Sequence, residues 1–477
     1  MNFQDNTPYD ILTEKWNPVL NHDALPTIGD DYRKKVTAVL LENQEQAIRA
    51  QHLTEDMSSN NLGMPQNFTN SGGVAGYDPV LISLVRRAMP NLMAYDVCGV
   101  QPMTAPTGLI FAMRANYNGT QYTDAAQYAE AMFQEAQPNY GGSGYTLSSD
   151  YKGFTAGYGL CGACGPTAGN PIFLRDNVTQ AQFSAFRGML TSSGESLGSG
   201  SGLYASFNQM AFSIDRVAVQ ARTRALSSNY TIELAQDLKA VHGLDAEAEL
   251  ANLLSTEILA EINREIVRTV YFVSRNGSQQ SDLTTRGTYD LNTDSDGRWS
   301  AERFRGLTFQ IERECNAIAK ETRRGKGNFI VCDSDTAAAL AMSGFMSLSP
   351  GIAPQLNVDD TQSTFAGLLN GKIRVYIDPY TPLGVNFFCA GYKGESPYDA
   401  GLFYCPYVPL QMVRAVDPDT FQPRIAFKTR YGVVANPYVM NVTAAGGPVP
   451  DGEALTKGLN QYYRLTQIRN LHGNTIS

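Results

Sequence analysis

At 477 residues, 43% of them hydrophobic, the chain exceeds one ordinary core and has apolar residues for about two to four domains. Only 17% of residues are charged, the net charge is −9 and no long Lys/Arg run occurs, which excludes the usual basic face of a nucleic-acid binder. Apolar runs fall far short of a membrane span, MNFQDNTPYD lacks the regions of a signal peptide, and seven scattered cysteines imply no disulfide framework, so cytoplasmic synthesis without membrane insertion is expected.

Residues 30–52 read as a helix, capped by Asp30 or Asp31, with Val36, Leu40, Ala47 and Ile48 near helical spacing. Asn43 interrupts that stripe, so the helix needs a partner. The Ser/Asn/Gly-rich stretch SSNNLGMPQNFTNSGG then reads as a linker. Residues 77–97 predict an amphipathic helix with Pro79 at its start and Pro90 ending or kinking it. GLIFAMRANY, 108–117, predicts a strand. From about Asn118 to Gly202 charges thin out and Gly, Ser, Tyr, Ala and Gln dominate, which marks an inserted β-rich or loop-rich module.

Residues 211–226 read as a strand running into a helix. Asp245 can cap a helix over 246–274, where Leu250, Leu254, Ile258, Ile262 and Ile266 fall at i, i+4 steps. Its 29 residues at ~1.5 Å each make a rod of roughly 44 Å, a spine for other parts. A second helix, 301–324, carries Phe304, Leu307, Ile311, Cys315 and Ile318, with Gly325 as its stop. Then GNFIVCD predicts a strand, SDTAAALAMSGFM a helix, and GKIRVYIDPY, NFFCAGYKG, AGLFYCPYV and RIAFKTRYGVVANPY further strands. The class is α+β with one strand–helix–strand unit.

Little in the sequence carries chemistry. Cys161 and Cys164 have redox or zinc spacing, but they lie among glycines with no second pair and no nearby histidine. Asn292-Thr-Asp294-Ser-Asp296-Gly297 resembles the start of a calcium loop, yet begins with Asn and has Arg303 where the final Glu belongs; a polar turn is the simpler reading. Phosphate-loop and nucleophile-elbow patterns are absent. His242 reads as a helix-end cation, and Glu257, Glu261 and Glu265 as a charged helix face. Cys315 and Cys332 read as small buried hydrophobes. No catalytic, cofactor-binding or metal-binding residue is expected.

Four stretches carry a resemblance: 72–115 (GGVAGYDPVLISLVRRAMPNLMAYDVCGVQPMTAPTGLIFAMRA), 230–267, GKIRVYIDPY (371–380) and 399–438. They resemble the major capsid proteins of T-even-like contractile-tailed phages, a group that includes cyanophages. The resemblance implies the tailed-phage/herpesvirus capsid fold: an N-terminal arm at 56–99, an extended loop at 100–207 with the insertion at 118–202, a peripheral domain at 208–300 with its spine helix, an axial domain at 301–420, and a return to the peripheral domain over 421–477. It also implies a structural role without enzymatic activity, as hexamers of the phage head enclosing double-stranded DNA without binding it specifically. Implied partners are copies of itself, a vertex subunit, scaffold, portal, maturation protease and chaperonin, with decoration proteins left open. Assembly in the bacterial host cytoplasm and residence in the virion capsid follow.

That family's maturation protease cuts after Glu in an Ile/Leu-x-Glu pattern. The pattern occurs here at Leu12-Thr13-Glu14, Leu40-Leu41-Glu42, Leu53-Thr54-Glu55 and Leu259-Ala260-Glu261. Leu53-Thr54-Glu55 stands where the helix gives way to the linker, so the expected cut lies between Glu55 and Asp56, releasing residues 1–55 as a propeptide. Three alternatives stay open: a paralogous vertex subunit forming pentamers, an enzyme using Cys161 and Cys164, and an inserted module that binds carbohydrate or a decorating protein rather than clamping a neighbour.

Overall fold

The computed structural model describes residues 8–22, 28, 30–58, 86, 92–117, 191–195, 198, 210–280, 282–295, 299–348, 364–382, 384–396, 398–417, 422–436, 455 and 457–471; of 48–58 it describes the backbone alone. The chain divides into two compact units, one of Met1–Ile110, Val217–Met440 and Val449–Ser477, the other of Phe111–Arg216 and Asn441–Pro448. In chain order the described elements begin with α1 (Pro8–Leu20) and α2 (Asp31–Ser58), α3 (Ala94–Val97), β1 (Gly99–Val100) and β2 (Thr107–Tyr117). A five-residue α4 (Thr191–Glu195) and the outer parts of β2 and β3 (Met210–Gln220) are what is described of the second unit. The first unit continues with β4 (Arg222–Asn229), α5 (Ile232–His242), α6 (Ala246–Val273), β5 (Ser274–Asn276), β6 (Thr288–Asp290) and α7 (Ser300–Thr322). It ends with β7 (Phe329–Cys332), α8 (Ser334–Met342), β8 (Met346–Leu348), β9 (Thr364–Leu369), β10 (Ile373–Ile377), β11 (Asn386–Gly391), β12 (Leu402–Val416), β13 (Pro423–Ala435) and β14 (Asn460–Arg469).

Among the described residues these strands form three sheets. The first has the order β1-β12-β13-β4, with β1 parallel to β12 and the other pairs antiparallel. The second runs β5-β14-β11-β7-β10-β9-β8, with β6 also beside β14. Its β7 and β10 are parallel, so β7-α8-β10 supplies the expected strand–helix–strand unit. The third is the ribbon of β2 and β3 alone.

The helices follow their sequence signals. Asp245 accepts a hydrogen bond from the Glu247 amide at 3.2 Å and starts α6, whose Leu254, Ile258, Ile262, Ile266 and Val270 face a core shared with α3, β12 and β13. α7 turns Leu307, Ile311, Cys315 and Ile318 onto the larger sheet. It ends on Arg323 in the left-handed conformation (φ 55°), two residues before the expected stop at Gly325. Gly325 instead makes room for an aromatic neighbour, since a Cβ there would lie 2.3 Å from the Tyr392 ring. A third, smaller cluster joins the ribbon's Ile110, Val217 and Val219 to Phe403, Cys405 and Val434.

Two expectations change, and a third falls mostly outside the described residues. Residues 211–226 do not pass into a helix; they form β3 and β4. Eight residues of β4 pair in register with β13, from Arg222 opposite Tyr431 to Asn229 opposite Arg424. That pairing outweighs the helix preference of Ala, Arg and Leu. The helix read as 30–52 runs on to Ser58, through Leu53, Thr54, Glu55 and Asp56. Of the helix read over 77–97, Arg86 is helical, Leu92 and Met93 lead into α3, and α3 forms; residues 77–85 and 87–91 lie outside the described residues, as do most of the 118–202 insertion and the stretch read as a linker.

Candidate interaction surfaces

The N-terminal helices form a clasp built into the first unit. Trp16 and Leu20 of α1 and Val36, Leu40 and Leu41 of α2 belong to the same core cluster as Tyr95, Val97, Tyr404 and Leu410. Each such side chain contributes about 1.5–3 kcal/mol on burial. Asn43, the residue that broke the apolar stripe, spends both amide hydrogens on backbone carbonyls, those of Met103 at 2.8 Å and Tyr407 at 2.9 Å. Tyr407 lies where β12 shifts register against β13, which leaves its carbonyl free for a side-chain donor. Arg33 pairs with Asp96 at 2.6 Å, and the Tyr32 hydroxyl donates to the Val100 carbonyl. At the end of α1 the Arg86 guanidinium caps the Leu20 carbonyl at 2.6 Å.

The two helices are also tied to each other. Lys15 Nζ reaches Glu42 at 2.6 Å and Glu45 at 2.7 Å, and the Trp16 ring N–H donates to Glu42 at 3.2 Å. Burial disfavours both charged groups, but the mutual hydrogen bonds and charges win: Lys15 is raised above its ordinary value and Glu42 held below the carboxylate range. Beside the clasp opens a cleft of about 730 Å³ whose wall includes Tyr32, Arg33, Tyr95, Asp96, Arg374 and Lys393. Burial lowers the Lys393 ammonium, and its Nζ donates to the Tyr95 carbonyl. Asp96 thus answers Arg33 from the clasp and Arg374, at 3.4 Å, from β10.

Other ion pairs brace the body. Arg264 of α6 bonds both oxygens of buried Asp378 at 2.7 Å, and the carboxylate also accepts from the Tyr271 hydroxyl at 3.1 Å and the Tyr380 amide at 3.0 Å. Of the helix-face glutamates, Glu261 and Glu265 grip Arg224 at 3.0 and 2.6 Å, so that face is bonded to β4 rather than merely solvated. Fully buried Glu314 takes Arg464 at 3.1 Å, the Ser278 amide at 3.0 Å and the Gln280 and Gln310 amides at 2.8 and 3.0 Å.

Among the exposed large apolar side chains, two groups each share one element or ribbon. On the ribbon, Leu109 and Phe111 of β2 and Met210, Phe212 and Ile214 of β3 are 51–68% exposed. Within each strand they occupy alternate positions, opposite in parity to the buried Ile110, Val217 and Val219. On α5 no residue is buried, although Ile232, Leu234 and Val241 are apolar. Isolated exposed apolar residues are ordinary; clustered ones mark contact surfaces.

The chemical motifs resolve as follows. Cys98, Cys315, Cys389 and Cys405 are buried, and desolvation pushes each thiol up to about 12, as it pushes Cys332 higher still, so all behave as inert core residues. Cys161 and Cys164 lie outside the described residues. Asp294 accepts from the Thr284 amide and hydroxyl at 3.0 and 2.7 Å and from the Asp290 amide at 3.1 Å, which makes it a turn-former. His242 sits in the last turn of α5 before Gly243 in the left-handed conformation. No group of His, Cys, Asp and Glu fit to hold a metal occurs among the described residues, and no described helix is long and apolar enough to cross a membrane.

Residues 74–468 match the family described as Major capsid protein Gp23. The chain belongs to that family. As a Gp23-family major capsid protein it is a structural component of the virion shell. The major capsid protein of Enterobacteria phage T6 is 37% identical over 486 residues, covering 91% of this chain and 96% of that protein. That of Enterobacteria phage T4 is 35% identical over 516 residues, covering 96% and 98%. The capsid vertex protein of phage T4 matches in part: 30% identity over 259 residues, 52% of this chain and 57% of its own length. A solved structure, "The capsid of Myoviridae Phage XM1", aligns with TM-score 0.35 and 9% identity over 79% of this chain and 92% of that one, too slight a likeness to carry any argument.

Sequence reading missed most of the clasp. Its one visible signal was Asn43, a polar residue on an apolar stripe. Arg33, Lys15 and Arg86 gave none, since their partners lie 27 to 66 residues away.

Proposed function

We propose that this chain is the hexamer-forming subunit of a phage head, arranged as an N-terminal arm, extended loop, peripheral domain and axial domain, and that residues 1–55 are removed after assembly by a cut between Glu55 and Asp56. The observation that carries the hexamer reading is the ribbon of β2 and β3, which presents alternate apolar residues to solvent. A shell subunit needs such surfaces: extended pieces that overlap neighbours bury apolar area through many moderate contacts, and closed rings make their sum hard to break. The partners expected are copies of this chain and a vertex subunit, together with scaffold, portal, maturation protease and chaperonin.

Removal of 1–55 would take Trp16, Leu20, Val36, Leu40 and Leu41 out of a core and withdraw Arg33 from Asp96. The segment carries nine acids and five bases, so its loss shifts net charge from −9 to −5 and leaves a chain of ~46 kDa, scaled by length from 52.0 kDa. Electron microscopy of the purified assembly tests the hexamer reading. Rings of six support it; rings of five would assign the chain to vertices instead.

A further inference from the structure

We infer that the fold ranks the Leu-x-Glu sequences as cutting sites, withholding Glu42 and Glu261 and leaving Glu55 to be cut ahead of both. This deepens, and rests on, the reading that residues 1–55 are removed. The reaction is hydrolysis: one water adds across the Glu55–Asp56 amide, leaving a carboxylate on Glu55 and an amino group on Asp56, with no redox change.

All four sequences lie in helices, at α1, α2, α2 and α6. A protease binds its substrate extended, so each site is cut only as often as its helix opens locally, and the opening free energy sets the order. Opening around Glu42 must expel Leu40 and Leu41, 0% and 1% exposed, release Asn43 from two carbonyls, and part Glu42 from Lys15 and Trp16. Opening around Glu261 must expose Leu259 and Ile262 and break the bond to Arg224. Around Glu14 it must lift Trp16 and Leu20.

The Glu55–Asp56 bond lies three residues before the end of α2 at Ser58. The last turn of any helix has carbonyls without intrahelical partners. By sequence this last turn, Glu55 to Ser58, holds two acids and no base, a composition that does not suit the negative pole of a helix. Unwinding it leaves the anchored stretch from Val36 to Glu45 in place. The two matches within α2 therefore differ in their place along the helix, one in its packed stretch and one in its last turn.

The test uses the full-length chain and a glutamyl endopeptidase, which cuts after Glu whatever the neighbouring residues, with bond-by-bond rates from mass spectrometry. The 55–56 bond should open at least about tenfold faster than 42–43 and 261–262, the ratio set by ~1.4 kcal/mol of opening free energy. Lys15→Met and, separately, Asn43→Ala should speed cutting at 42–43 while 261–262 stays constant. Constancy at 261–262 reports that the body remains folded. Should Asn43→Ala speed both bonds, Lys15→Met, altering an exposed lysine, decides. Equal rates at 42–43 and 55–56 in the unaltered chain would overturn the inference, as would variants that leave 42–43 unchanged. A mature particle whose main band does not begin at Asp56 would instead sink the processing reading, without touching this ratio.

Discussion

Asn43→Ala isolates the clasp's central contact. The Asn43 amide is buried and gives both hydrogens to carbonyls, at 2.8 and 2.9 Å. Each hydrogen bond contributes about 0.5–1.5 kcal/mol net, and alanine leaves two carbonyls without that donor, so the clasp should loosen by about 1–3 kcal/mol. Hydrogen exchange of the full-length chain reads this directly. Amides between Val36 and Glu45 should exchange roughly 5- to 150-fold faster, while those of α6 between Ile258 and Ile266 hold their rates. Exchange in α2 unchanged within about twofold would show that Asn43 does not hold the clasp. Equal acceleration in α6 would count against that role too, since the change would then be global.

Phe212→Asp, on the exposed parity of β3, should leave the subunit folded and shift it from shells to free subunits in sedimentation; shells at wild-type yield would count against the ribbon as a contact surface. Asp378→Ala strips a nearly buried carboxylate from Arg264, Tyr271 and Tyr380 and should cost toward the lower end of ~3–5 kcal/mol in denaturant unfolding, because Arg264 is partly exposed; Asp378→Asn, which keeps acceptor oxygen, should cost less. The clasp should also respond to pH. Glu42 is depressed, so its contribution is present above the ordinary carboxylate value and lost as pH falls through the lower folded one; Lys15 is raised, so its share is full below its ordinary value and lost only at higher alkaline pH. Protection of α2 amides should therefore drop as pH falls below the ordinary carboxylate range, and by less in Lys15→Met; equal drops would remove this pair from the explanation. Gln44→Leu should slow exchange in α2, since both polar atoms of the buried Gln44 amide lack a partner among the described residues; faster exchange would contradict this.

The elements legible in advance were those whose signals are local. α6 announced itself through Asp245 and its i, i+4 apolar steps, and α7 through Leu307, Ile311, Cys315 and Ile318. What stayed hidden was set by distant partners. β4 reads as helix until β13, some 200 residues on, pairs with it. β14 takes an interior place beside β11, and nothing in its own residues states that. α2 looked weak at Asn43 because the carbonyls it serves belong to Met103 and Tyr407. The candidate processing site was visible only as a short pattern with four matches; which of them a protease can reach depends on packing around Leu40, Leu41 and Leu259 that no short pattern encodes.

A capsid subunit that sheds its N-terminal clasp leaves a shorter chain in the mature particle. N-terminal sequencing with intact mass of the main band from mature particles tests it most directly. That band should be a chain of ~46 kDa beginning at Asp56, scaled by length from 52.0 kDa. A main band of 52.0 kDa beginning at Met1 would contradict it.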